Sequence, residues 1–552
     1  MNTSLLQPDN HNKKYEALFV EIDSGQIKLP MFQREFVWDK EQSAKLIDSI
    51  LKGFPIGTFI FWKTKETLRS YKEIGNHTLP ETPQGDYAQY ILDGQQRITS
   101  LYAIRKGIRI TKDGKEIDYK DIYIDLDYDP LENEQIVVTE MEEERDYVSV
   151  HDVLTQKIGV FYKEFSQAKA EKLEEYKSKL TSYDFSSITI KDYPIEIACE
   201  VFSRINTGGK SLTVFEIMVA KTYDEQRGFD LSEQYDILRN GSDEEENCLE
   251  KAKFETIPHA IIMQCVAAIT LKAVKSKDIL KIQRETFIDN WEPMKKSLFT
   301  AIDFVRSGLR IPVSQLLPYP AVLLPLTYFF FSIQNKKPNN KQARLLEQFV
   351  YWVGLTERYS SATESKIGED LNKMEQIIKG LQPNYPSTEL TVTPEEIAER
   401  RFSAGNAYCK TILCLFAYQQ PLSFDNNDIV NLDNSNLKIA SSRNYHHFFP
   451  KAYLNRLNNG AEPNLVANIT LIDGYSNKHK IGGKAPSDYI GIFSAMNEEL
   501  AETMKKHLVQ DMEKFGVLTN DYDTFIGQRS KAIAKKLNHK LMPLQEKQAI
   551  AA

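Results

Sequence analysis

Two adjacent histidines, His446 and His447, stand in the stretch SRNYHHFFPKAYLNR (442–456) of a 552-residue chain that holds nine histidines in all. Asn468 follows His447 by 21 residues, Asn477 comes nine later, and His479 and Lys480 close the run. A neutral imidazole is a suitable general base near neutral pH. Its other ring nitrogen needs a partner to hold the tautomer and the ring plane. A neighbouring imidazole and an amide oxygen can ligate a divalent cation. Such a set suits phosphodiester hydrolysis, which needs an activated water and a cation to neutralise developing charge.

The order His-His, Asn, Asn resembles the HNH nuclease motif. Carried over residue by residue, that resemblance makes His446 the first metal ligand and His447 the general base. Asn468 becomes the asparagine that orients the base, and Asn477 the last ligand. Many such enzymes carry histidine at the last position. Asparagine there favours magnesium or manganese over tightly held zinc, and His479 is the alternative ligand. Asn464 reads as a turn residue after Pro463 and a bystander. Phe448 and Phe449 read as core, and Lys451 and Lys480 as phosphate contacts or solvated lysines.

A second constellation is DGQQR (93–97), placed between an expected strand and an expected helix. Polar groups at such a junction collect where ligands often bind, and the helix start offers free N–H groups to an anion. Arg97 can form a bidentate pair with phosphate. Asp93 can accept a proton, bind a metal or cap the helix, and the five residues leave these roles open.

LPMFQREFVW (29–38), FPIGTFIFW (54–62), ILDGQQRITSLYAI (91–104) and VFSRINTGGKSLTVFEI (201–217) occur in that order. Together they resemble the N-terminal domain of the GmrSD-type modification-dependent (type IV) restriction proteins, a domain similar to the ParB and sulfiredoxin-like fold. VYWVGLTERYSSATESKIGEDL (350–371) is similar to that family's helical part, and the HHFFP segment to its HNH-like C-terminal domain. The resemblance implies a nucleoside-triphosphate-binding and hydrolysing module that controls metal-dependent nicking or cleavage of double-stranded DNA. The implied DNA is modified phage DNA and the implied role antiphage defence. The nucleotide would meet Gln33, Arg34, Asp93, Gln95, Gln96 and Arg97, with Arg204 and Asn206 closing the pocket. Asp93 and Arg97 would be its catalytic pair, as His447 and Asn468 would be that of the nuclease. The alternative is a ParB-like nucleotide- and DNA-binding regulator with a degenerate C-terminal part, favoured by the asparagine at the last ligand position. INTGGKSL (205–212) is no Walker motif, because its glycine spacing is wrong and a helix precedes it.

The elements that must position these residues follow from periodicity. DKEQSAKLIDSILKG (39–53) has helical spacing, with Asp39 as N-cap and Gly53 as stop. Strands are expected at 55–63, 87–92 and 120–128, and helices at 98–107 and 163–180. Residues 195–223 read as helix, glycine turn, helix, and 132–146 as a solvated charged segment. The expected class is α+β. The resemblance implies a ParB/sulfiredoxin-like α/β domain over 1–225, completed by a helical region at 226–380. A linker follows at 381–394, then a helical domain at 395–552 with a ββα-metal element. The net charge of −8 advertises no global field for nucleic acid. Residues 441–552 carry roughly +4 and the rest about −12. Five cysteines without a C-x-x-C pair read as reduced thiols. The apolar run at 321–333 is too short for a membrane span, so the expectation is a cytoplasmic protein. Oligomeric state is open.

Overall fold

The computed structural model describes residues 7–31, 38–83, 85–112, 115–131, 134–205, 213–437, 445–458, 460–473 and 480–543. Gln33, Arg34, Asn206, Asn477 and His479 therefore lie outside the described residues, as do Phe32 and Phe36. The class is α+β: small sheets in a chain whose remainder is mostly helical. The chain divides into two compact units, Met1–Asp230 and Leu231–Ala552.

The first unit is built on a five-stranded mixed sheet. Its order is Asp9–Lys14, Asp184–Lys191, Phe59–Thr64, Ala88–Asp93, Ile27–Lys28. The second and third strands are parallel, the third and fourth antiparallel. Aromatic and β-branched residues favour these strands because they pack on a pleated surface. Phe59, Phe61, Ile91 and Phe185 bury one face in the core shared with helices Tyr15–Asp23 and Gln95–Lys106. Helix Lys40–Leu51 starts as expected at Asp39, whose side chain accepts from Gln42 N at 2.7 Å in a capping box. The segment 132–146 is not simply solvated. Val137–Val138 forms a strand against Tyr123–Asp125, and the Asp48 carboxylate accepts from Ile136 N at 2.6 Å. Burying Val137 outweighs the charged neighbours, which stay at the surface.

The second unit is helical. Leu323–Ser332, the most apolar stretch, is its buried centre, packed by His259–Leu271, Arg284–Asp303 and Thr363–Ile378. No helix among the described residues is long and apolar enough to cross a membrane. Residues 231–380, expected to complete the N-terminal module, pack in one unit with 395–552. The expected linker is tied down on both sides. Trp352 donates to Glu389 at 2.9 Å, Tyr385 packs on Trp352, and Asn538 exchanges two hydrogen bonds with the Val392 backbone. Its prolines limit local periodicity, but its aromatic and amide contacts hold it in the core. All five cysteines are buried, and none is in a disulfide.

Candidate functional site

In the C-terminal unit, Tyr445–His447 and Ile469–Leu471 pair antiparallel, with His446 opposite Thr470 and His447 opposite Ile469. Helix Lys451–Leu457 lies between them in the chain and Pro486–Ser494 follows. Alternation sends the two histidines to opposite faces. His446 is 2% exposed, with its ring edge-on to Tyr489. His447 is half-buried beside the exposed Lys451.

His447 Nε2 lies 3.1 Å from Asn464 Oδ1. The Asn464 amide is itself oriented, because its Nδ2 donates to Phe402 O at 3.0 Å. Oδ1 must then accept, so Nε2 carries the proton and the Nδ1 lone pair is left for chemistry. Burial lowers the His447 pKa from 6.5 to about 4, opposed by the Asn464 hydrogen bond and reinforced by the Lys451 charge. The ring is thus neutral at neutral pH, as a base must be.

The structure reassigns the two asparagines. Asn464, expected as a bystander, holds the His447 ring. Asn468, expected to do so, is fully buried and spends its amide on backbone. It accepts from Phe449 N at 2.8 Å and donates to Phe449 O and Pro463 O. Asn468 thereby locks the chain two residues beyond His447 rather than the imidazole itself. Phe448 and Phe449 are fully buried, as expected. Lys480, read as a phosphate contact or a solvated lysine, pairs with Asp425 at 2.6 Å.

Two positioning groups escaped the sequence reading. Arg529 is fully buried on helix Tyr522–Leu541. It donates to Ala467 O at 2.6 Å, Ile469 O at 2.7 Å and His507 O at 3.2 Å, and lies over the Phe416 and Phe525 rings. The Ala467 and Ile469 carbonyls flank Asn468, so the guanidinium anchors the segment that anchors Phe449. Burial pushes its pKa down to about 9. The available signal is an arginine inside an apolar stripe, Phe525, Arg529, Ile533, Leu537, at four-residue spacing. His507 is buried too. Its Nε2 donates to Leu422 O at 2.8 Å and its Nδ1 accepts from the Thr470 hydroxyl at 2.7 Å, which fixes a neutral tautomer.

Arg529→Ala is expected to lower stability by about 3 kcal/mol. Three orphaned carbonyls and a cavity outweigh the relief of removing a buried charge. Arg529→Met fills the volume and is expected to cost about 1 kcal/mol, because only the orphaned carbonyls remain uncompensated. Urea titration of both variants checks the clamp, and two unchanged midpoints would refute it.

The described residues contain no group of three His, Cys, Asp or Glu side chains that could hold a metal. His446 is the described member of the expected pair, and Asn477 is outside the described residues. The described side chains do not by themselves make a metal centre.

In the N-terminal unit, Asp93 ends its strand and Gly94 begins helix Gln95–Lys106 at φ 92°. A Cβ at Gly94 would sit 2.3 Å from the Phe59 ring, so only glycine makes this turn. Asp93 does not cap the helix. It pairs with Arg97 at 2.8 Å. Arg97 also donates to Ile56 O at 2.6 Å and Thr58 O at 3.0 Å, over the Phe59 ring. Both Nη2 hydrogens are spent inside the protein. The open fork expected for phosphate is therefore not presented, and Arg97 acts as a clamp on the 56–58 loop. Gln96 Oε1 accepts from Trp38 N at 3.3 Å, and Gln95 is buried. Arg204 is exposed and paired one turn back with Glu200 at 2.5 Å.

Comparison with known proteins places part of this chain. Over 93% of its length it is 25% identical to an uncharacterized protein of Methanocaldococcus jannaschii, of which the alignment covers 96%. Residues 15–223, which contain Asp93, Gly94 and Arg97, match the family described as GmrSD restriction endonuclease, N-terminal domain.

Proposed function

We propose that this protein is a restriction endonuclease of antiphage defence. In this reading the C-terminal unit nicks or cuts double-stranded DNA and a nucleoside triphosphate bound by the N-terminal unit controls it. One observation carries the nuclease half: a half-buried, neutral imidazole with Nε2–H held by Asn464 and Nδ1 available. His447 Nδ1 takes the proton of the attacking water. The imidazolium that forms is steadied by Asn464 Oδ1, which already accepts from Nε2. The exposed Lys451 offers a positive charge to the phosphate. The reading includes a magnesium or manganese ion with His446 and Asn477 as proposed ligands. Such an ion would neutralise charge developing on the phosphate. The family match of residues 15–223 supports the restriction role. The nucleotide is proposed to sit at the Asp93 strand end, with Gln33, Arg34, Gln95, Gln96 and Asn206 as further contacts. Modified phage DNA is the proposed target.

Plasmid nicking tests this reading. Modified and unmodified DNA are incubated with magnesium or manganese, with and without each nucleoside triphosphate. Cleavage that EDTA abolishes is expected. No cleavage of any substrate would leave a nucleotide- and DNA-binding regulator as the better account.

A further inference from the structure

The end of the central sheet opposite Asp93 carries an unbalanced positive cluster. Lys63 and Lys191 are direct cross-strand partners, and Lys63 also faces Gln89. Side chains alternate along a strand, so Lys63, Lys65, Tyr87, Gln89 and Lys191 share one face. That face buries Phe59, Phe61 and Phe185 in its middle and emerges at this end. Three ammonium groups then gather on one ring: Lys63, Lys65 and Lys191 lie 5.6, 5.2 and 5.2 Å from the Tyr87 centroid. Lys65 and Lys191 are exposed and Lys63 half-buried.

Like charges placed directly opposite across strands are destabilising. Among the described residues none of the three lysines forms an ion pair. The carboxylate beside the ring, Asp192, accepts from the Tyr87 hydroxyl at 3.3 Å instead. Lys13 shows what balance looks like on the same face: it is buried and matched by Glu21 and by Gln89 at 3.1 Å. Desolvated lysine is matched here and exposed lysines are clustered without a match. An anion with several charges in a row relieves that repulsion, and a chain of phosphodiesters is such an anion.

We propose that Lys63, Lys65, Lys191 and Tyr87 form a contact surface for the DNA backbone, separate from the Asp93–Arg97 end of the sheet. It rests on the DNA-directed reading above and names where the N-terminal unit grips its substrate. The contacts are to phosphate, so they hold DNA without reading its sequence.

The test is binding of a short fluorescent duplex to the full chain across a salt series. The wild type is compared with Lys63→Gln/Lys65→Gln/Lys191→Gln. The triple variant is expected to bind about 10- to 100-fold more weakly near physiological salt and to lose about two to three from the slope of log K on log salt. A thermal midpoint equal to or above the wild type shows that it is folded, since the substitution removes repulsion. Wild-type affinity and slope in the triple variant would overturn the proposal while leaving the nuclease reading intact. A triple variant that loses nucleotide binding but keeps duplex affinity would also overturn it. Weakened binding in a chain that never nicks would support this surface and sink the nuclease reading. A wild type that binds no duplex would overturn both.

Discussion

His447→Ala is expected to lower plasmid nicking by about a hundred- to ten-thousandfold, the range supplied by a positioned general base. The substitution removes Nδ1, the ring atom left without a described hydrogen bond once Nε2 is held by Asn464. The fold should survive, because the ring is half-buried at the end of a strand whose hydrophobic anchors, Phe448 and Phe449, are untouched. Circular dichroism and the urea midpoint check that point. Asn464→Ala separates orientation from chemistry: it leaves the imidazole in place but frees its plane and tautomer. A loss of about 10- to 100-fold is expected, as for other groups that orient a working histidine. Undiminished nicking by His447→Ala would remove this imidazole from the reaction. Equal losses in both variants would mean that the ring works only when held.

Acid is expected to destabilise the C-terminal unit well before its carboxylates protonate. Burial is the leading cause that holds both His447 and His507 at about 4, against 6.5 for an unhindered histidine. Between those values the unfolded chain takes up protons that the folded chain refuses. Stability therefore rises with pH across this window and falls as pH drops from about 6.5 towards 4. Each fully buried ring could contribute about 3 kcal/mol, and partial exposure of His447 trims its share, so roughly 5 kcal/mol is at stake. Urea midpoints measured at intervals through this window give the slope. His507→Gln keeps an acceptor for Thr470 and a donor for Leu422 O while removing the titration, so it should flatten the curve by about half. A wild-type midpoint that stays level from pH 6.5 to 4 would refute the burial argument. The same low value predicts that nicking does not fall through protonation of His447 until the pH approaches 4.

What could be read from the chain alone was whatever is local. Asp39 caps the helix whose apolar spacing follows it, and a β-rich run makes a strand. The HHFFP run and DGQQR announce themselves for the same reason, since the groups that matter are neighbours in sequence. Partnership across the fold was not local. The motif's spacing pointed to Asn468 as the holder of His447 and left Asn464 a bystander, whereas the choice depends on Phe402, 62 residues from Asn464, which orients the Asn464 amide. Arg97 has the chemistry of a phosphate fork, yet the carbonyls of Ile56 and Thr58 arrive from the loop that precedes another strand and consume it. Arg529 binds carbonyls 60 and 62 residues away. The sequence by itself determined which residue types can do chemistry and which elements carry them. Only the tertiary structure decided which are available for it, because a polar group is free to react only after every distant donor and acceptor brought beside it by folding has taken its share.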